Sequence, residues 1–284
     1  MIPMADENPV RRVPWVTFLL IATCVVVYFA VQPTGAPKFE WGGLAERTDE
    51  EDLRFVVDNA AIPCELVQGR PLTQREYDET FFGRDRSACS DGGGLAHNPG
   101  KVVLLGALVS MFLHGSIAHL FGNMLFLWVF GNNVEDKRGR IRYLLLFLAG
   151  GVVATASHVL VDPDSTVPII GASGAIAAVM GAYFVLWPQA RVKTIIFFGP
   201  LMLRKVQALW LLLFWFATQF LLVDGQSAVA WAAHVGGFAF GVLVGLWWRW
   251  RDRAVDLEAP RSDVGSELPR QTASRSRAPV SADG

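Results

Sequence analysis

The sequence predicts an all-α, polytopic membrane protein built as a bundle of six transmembrane helices. Three observations predict it. Apolar stretches long enough to cross about 30 Å of hydrocarbon recur along the chain. Lysines and arginines gather in alternate gaps between those stretches. Composition agrees: 52% of residues are hydrophobic, and 10 tryptophans and 27 glycines suit membrane helices and their aromatic belts better than a soluble core.

Residues 1–12 form a short cytoplasmic N-terminus ending on Arg11 and Arg12, and Val13–Val31 is the first span. A basic start before an apolar run also fits a signal peptide, but no A-x-A-like cleavage site follows. Residues 32–101 are an extracytoplasmic insertion, mostly acidic, as in Asp49-Glu50-Glu51-Asp52. It holds Cys64 and Cys89, while Cys24 lies in the first span. Outside the membrane the pair reads either as two free thiols or as a bridge. Such a bridge would close about 25 residues and contribute about 3–4 kcal/mol.

The apolar run from Val102 is too long for one span, and Gly115-Ser116 marks a break. Val102–Leu113 becomes an interfacial or re-entrant piece, and His114–Phe130 the second span. Tyr143–Val161, Val167–Trp187, Val206–Val223 and Ala228–Trp248 follow as the third to sixth. Ile195–Leu203, short and interrupted by Gly199-Pro200, stays outside the count. Residues 13–250 thus make the membrane domain. The tail 251–284 has no aromatic residue and mixes Arg, Asp, Ser and Pro, the composition of a disordered cytoplasmic segment. Lys137, Arg138, Arg140 and Arg142 follow the second span, Arg191, Lys193, Arg204 and Lys205 the fourth, and Arg249, Arg251 and Arg253 the sixth. The opposite gaps hold only Asp162, Asp164 and Asp224. Both termini are therefore expected in the cytoplasm of a multi-pass cell-membrane protein.

Two spans carry a polar residue that packing alone does not require: Ser173 in Gly171-Ala172-Ser173-Gly174, and His234 in Ala233-His234-Val235-Gly236-Gly237. Each lies about six residues into its span, roughly 9 Å deep. Gly237 and Gly241 share the face of His234, and Gly174, Ala178 and Gly181 form a small-residue stripe beside Ser173. Two such stripes predict a close helix crossing that brings hydroxyl and imidazole together. On the second span His119 and Asn123 share one face and can donate side-chain hydrogen bonds, as an oxyanion requires. An interhelical polar clasp is the alternative for that pair. The fourth and sixth spans contain no carboxylate, which leaves a Ser–His dyad without an obvious third member. His114 and His119 are five apart, so no H-E-x-x-H metal motif is present. No basic stripe interleaved with aromatics supports nucleic-acid binding.

In their order, these residues resemble the rhomboid intramembrane serine proteases. The resemblance runs from about Val102 to Trp250. It rests on His114 followed by His119-Leu-Phe-Gly-Asn123, Gly131 through Glu135 to Gly139, Gly171-Ala-Ser173-Gly174, and Ala233-His234-Val-Gly-Gly237 through Gly241. It implies Ser173 as nucleophile and His234 as base. It also implies an oxyanion hole of His119, Asn123 and the Ser173 N–H, and helix packing at Gly171, Gly174, Gly237 and Gly241. The chain departs from the family at two places. Leu105 and Gly106 stand where many members have Trp-Arg, and Ala177 stands where an aromatic often lies under the histidine.

The function implied is hydrolysis of peptide bonds in or near the transmembrane segments of membrane-protein substrates, close to the outer face. Neither metal nor cofactor is implied, and the oligomeric state is left open. Trp210, Phe214, Trp215 and Phe220 of the fifth span read either as a bulky gate for lateral access or as ordinary lipid-facing aromatics. A proton-coupled transporter and a catalytically silent, client-binding relative are the competing readings.

Overall fold

A computed structural model describes residues 1–33, 50–90, 92–197, 201–220 and 230–258. The chain is mostly helical. Helix α1 (Trp15–Val26) runs on into a π-wound turn, Val27–Val31. The insertion carries α2 (Glu50–Asn59), α3 (Pro63–Gln68) and α4 (Gln74–Phe81). Next come α5 (Val103–Val109), a 3-10 turn at Ser110–Phe112, and α6 (Ile117–Phe126) with a π-wound extension to Gly131. Then follow α7 (Asn132–Arg138), α8 (Arg140–Val161), α9 (Ser173–Leu186), α10 (Ala208–Gln219) and α11 (Trp231–Glu258).

Arg140–Val161 and the Trp231–Arg253 stretch of α11 are long and apolar enough to cross a membrane. Val103–Phe112 and Ile117–Arg138 pass together as a third, broken span bent by 80°. The bend falls where Gly115-Ser116 predicts a break. Ser116 caps the new helix, its hydroxyl accepting the His119 N–H at 3.1 Å. Trp15–Val31, Ser173–Leu186 and Ala208–Gln219 are apolar but shorter.

The all-α expectation needs correction. Strands β1 (Ile2–Asp6), β2 (Arg191–Phe197) and β3 (Leu201–Gln207) form an antiparallel sheet in that order. In β2 the side chains alternate: Val192 and Thr194 are buried, Arg191 and Lys193 exposed. That period of two, on β-branched residues, specifies a strand. In the sequence that alternation is hidden among the basic residues that mark the gap after the fourth span. The N-terminal strand is tied to the bundle through Asp6, which accepts hydrogen bonds from Tyr183 of α9 and Asn133 of α7. Burial raises the Asp6 carboxyl above its usual range despite the Tyr183 and Asn8 donors.

The C-terminal helix also overruns its expected end. It continues to Glu258, and Arg138 of α7 grips Asp252 with two parallel hydrogen bonds of 2.9 and 2.8 Å. The rest of the expected tail, 259–284, lies outside the described residues.

Helix α9 is buried along nearly its whole length, from Gly174 to Tyr183, with α8 and α11 against it. A helix apolar on all sides belongs at the centre of such a bundle. Beside it, Phe130, Tyr143, Phe147 and Leu212 are fully buried. Glu135 contributes a polar fixture. Its carboxylate accepts the N–H groups of Val16 and Thr17 at 2.9 and 2.8 Å, capping α1 from a neighbouring helix.

The insertion has its own small core of Val57, Ile62, Cys64, Leu72 and Tyr77. Cys64 and Cys89 are joined in a disulfide, which decides between the two readings. Glu76 is its polar hub. Arg70 donates to both carboxylate oxygens at 2.8 Å, the Thr73 N–H donates at 2.7 Å, and the Ser90 N–H at 2.8 Å.

Candidate active site

The chain approaches Ser173 as a non-helical loop, and the helix expected from Val167 begins only at Ser173. Pro168 has no N–H to give a helix, and Gly171 adopts φ +114°, a conformation that favours glycine. This entering segment is pinned from two sides. The Ile169 N–H donates to the Ala61 carbonyl of the insertion at 2.8 Å, and the Gly171 N–H donates to the Ser110 carbonyl at 2.9 Å. The Ser110 hydroxyl in turn accepts the Ala61 N–H at 2.6 Å, and Cys64 N–H reaches the Ser165 carbonyl at 2.9 Å. Ser173 therefore opens its helix, where N–H groups have no intrahelical acceptor. His234 likewise lies in the first turn of α11, which starts at Trp231.

Small residues let the two helices meet backbone to backbone. A methyl group at Gly237 would overlap the Gly174 carbonyl, one at Gly241 the Ala178 carbonyl, and one at Gly181 the Phe238 carbonyl. At Gly174 it would strike Ala154 of α8. With α9 and α11 this close, His234 Nε2 lies 2.7 Å from Ser173 Oγ. Both residues are half-buried. Gly171 serves differently from the packing role expected of it. It sits in the loop before α9 and lets that loop approach His119 and Asn123 of α6, rather than letting two helices cross.

His119 and Asn123 converge on that glycine. A Cβ on Gly171 would stand 2.7 Å from His119 Nε2 and 3.5 Å from Asn123 Nδ2. Asn123 Nδ2 is buried and has no hydrogen-bond partner among the described residues. A buried amide without an acceptor is costly, and it faces the loop that presents the serine. His114 supports the group from behind. Its ring meets that of His119 edge-on at 5.2 Å, and the Gln32 amide clamps its backbone, accepting the N–H at 3.0 Å and donating to the carbonyl at 3.2 Å.

Two features of the site escape the sequence reading. Gln219, the last residue of α10, puts Oε1 2.7 Å from His234 Nδ1. It is a polar side chain inside the apolar run Val206–Val223, the same signal that singled out Ser173. Trp215 also belongs here: its ring centroid is 5.8 Å from that of His234. It flanks the imidazole from α10, while Ala177 is buried in α9. Trp210, Phe214 and Phe220 are exposed, as either reading of the fifth-span aromatics requires, and Trp215 is turned inward.

Comparison with known proteins adds an independent line. The Rhomboid domain family model matches residues 103–251. The mitochondrial presenilin-associated rhomboid-like protein A of Danio rerio is 33% identical over 209 residues, covering 71% of this chain and 48% of the relative. The rhomboid protease GluP of Bacillus subtilis is 41% identical over 75 residues, 26% of this chain and 14% of the relative. Mitochondrial rhomboid protein 1 of Saccharomyces cerevisiae is 31% identical over 149 residues, 51% of this chain and 41% of the relative. The chain spans about half, or less, of the length of these curated relatives.

Proposed function

The chain belongs to the rhomboid family, and from that premise we propose that it is an intramembrane serine endopeptidase acting through a Ser173–His234 dyad. The observation that carries this reading is the 2.7 Å contact between Ser173 Oγ and His234 Nε2, made across two separate helices. Ser173 Oγ attacks the substrate carbonyl carbon while Nε2 accepts its proton. The negative charge that develops on the carbonyl oxygen is met by Asn123 Nδ2, His119 and the free N–H at the start of α9. Nε2 then returns the proton to the leaving amine, and water hydrolyses the acyl-enzyme by the same route reversed.

The substrates are transmembrane proteins in the surrounding bilayer. A peptide bond inside a helix is shielded by its hydrogen-bonded ladder, so segments weakened by glycine are favoured. The apolar helical segments, taken in order with the re-entrant α5, support a six-span bundle within residues 13–250. The arginines and lysines of the turns support cytoplasmic termini, an outward-facing site and a cell-membrane location.

A fluorophosphonate probe tests the dyad. Purified protein is expected to label at Ser173 and to cleave a single-span substrate. Ser173→Ala and His234→Ala should each abolish both, with expression and detergent extraction unchanged. Retained cleavage in Ser173→Ala would refute the reading.

A further inference from the structure

Among the described residues no acidic side chain orients His234, and the place beside its second nitrogen is taken by an amide. Gln219 is 4% exposed, and both ends of its side chain are engaged. Nε2 donates to the Trp215 carbonyl at 3.0 Å and also meets Thr218 Oγ1 at 3.3 Å. A peptide carbonyl can only accept, so it selects the NH2 end of the amide. The opposite orientation would set two oxygens against each other. Oε1 is therefore the atom 2.7 Å from His234 Nδ1. Since Oε1 also only accepts, Nδ1 carries the proton and Nε2 turns its lone pair toward Ser173 Oγ.

We propose that Gln219 is a positioning residue whose amide, anchored on the Trp215 carbonyl, holds His234 in the Nδ1–H tautomer that a general base for Ser173 requires. This rests on the dyad reading and adds what fixes the base. A neutral amide achieves it without placing a carboxylate in the bundle, where an added charge is expensive. When Nε2 takes the serine proton, the ring becomes a cation that still donates Nδ1–H to Oε1. The negative end of the amide dipole faces the new charge, and no proton passes to Gln219. Trp215 serves twice, since its backbone sets the amide and its ring lies beside the imidazole.

The test compares wild type, Gln219→Met and Gln219→Glu as full-length protein in detergent micelles, with ¹⁵N-labelled histidine. The His234 tautomer is read by NMR, its signals identified by their loss in His234→Ala, and kcat and KM are measured on one single-span substrate. Methionine has similar length but no strong acceptor. In Gln219→Met the Nε2–H form should become populated and kcat should fall about 10–100-fold. That is less than the roughly 10⁴-fold known for a ring locked in the wrong tautomer. KM should stay within about threefold, because the amide does not touch substrate. Gln219→Glu keeps an acceptor at the ring and, protonated on the oxygen that faces the Trp215 carbonyl, should recover the Nδ1–H form and most of the lost kcat. The proposal is overturned if wild-type His234 is Nε2–H, or if Gln219→Met moves neither tautomer nor kcat. Should Gln219→Met fail to fold, the wild-type and Gln219→Glu spectra decide. The spectrum needs no turnover, so an inert wild type that fluorophosphonate leaves unlabelled would sink the protease reading while the tautomer still judged Gln219.

Discussion

At the scale of single residues, the site sets engaged donors and acceptors beside buried polar atoms, Asn123 Nδ2 and His114 Nε2, that have no partner among the described residues. Ser173, His234 and Gln219 form one chain, and Asn123 Nδ2 stands apart as a buried donor with no acceptor among the described residues. If that amide serves the oxyanion, Asn123→Ala should lower kcat by about 100-fold or somewhat less, with KM little changed. His119 and the α9 N-terminus remain as donors, so activity should persist, measurable as slow cleavage over hours. Loss as complete as that of Ser173→Ala would instead make Asn123 essential to the fold. Ser173, His234, His119 and Asn123 were all legible in the sequence, because each is a polar group in an apolar run and their spacing matches helix faces. Gln219 obeys the same rule. Its polarity alone does not say which span it faces, and the third partner comes from the fifth span rather than from the fourth or sixth.

At the scale of elements, periodicity decided what was legible. The long spans declare themselves by apolar length, and the break before α6 by Gly115-Ser116. The sheet did not, since β1 is five residues of a short terminus and β2 and β3 interleave their apolar residues with the lysines and arginines of a gap between spans. The late start of α9 was hidden too, because Val167, Ile169 and Ile170 are apolar whether helical or extended. Glycine fixes the closest contact. Gly241→Val would drive a branched side chain into the Ala178 carbonyl, with an expected cost of about 3 kcal/mol. Thermal unfolding in detergent should show it, and activity should fall with it. Gly122→Ala is the contrast, with no atom within 4 Å of the added methyl. Its unfolding midpoint should hold or rise slightly. In the insertion, burial opposes the charge on Glu76, but the Arg70 guanidinium and the Thr73 and Ser90 donors outweigh it. They hold the carboxyl well below its ordinary value of 4.5. A lowered carboxylate contributes stability above its unfolded pKa and loses that contribution as pH falls. The Glu76 contribution should therefore be constant above about pH 5 and decline on further acidification. Limited proteolysis across that range should show wild type losing protection that Glu76→Gln does not lose; parallel loss in both would contradict it.

At the scale of the whole molecule, charge distribution carries the orientation and buried area carries the fold. The proposed topology sets the insertion outside and the α7–α8 turn inside. Cys64 and Cys89 are bonded and Cys24 is buried, so an introduced thiol is the reactive one. An impermeant maleimide should label Leu95→Cys, 86% exposed in wild type, on intact cells, and Lys137→Cys only after permeabilisation. The reverse pattern would invert the protein. The insertion also reaches inward. Its Ala61 and Cys64, together with Ser110 beyond it, are stitched to residues 165–171, the cord from which the nucleophile hangs. An appendage sewn to that cord is not interchangeable trim. A graft that swapped it between relatives would have to be re-tailored along the same seam, and the two stretches should drift in step as the lineage diverges.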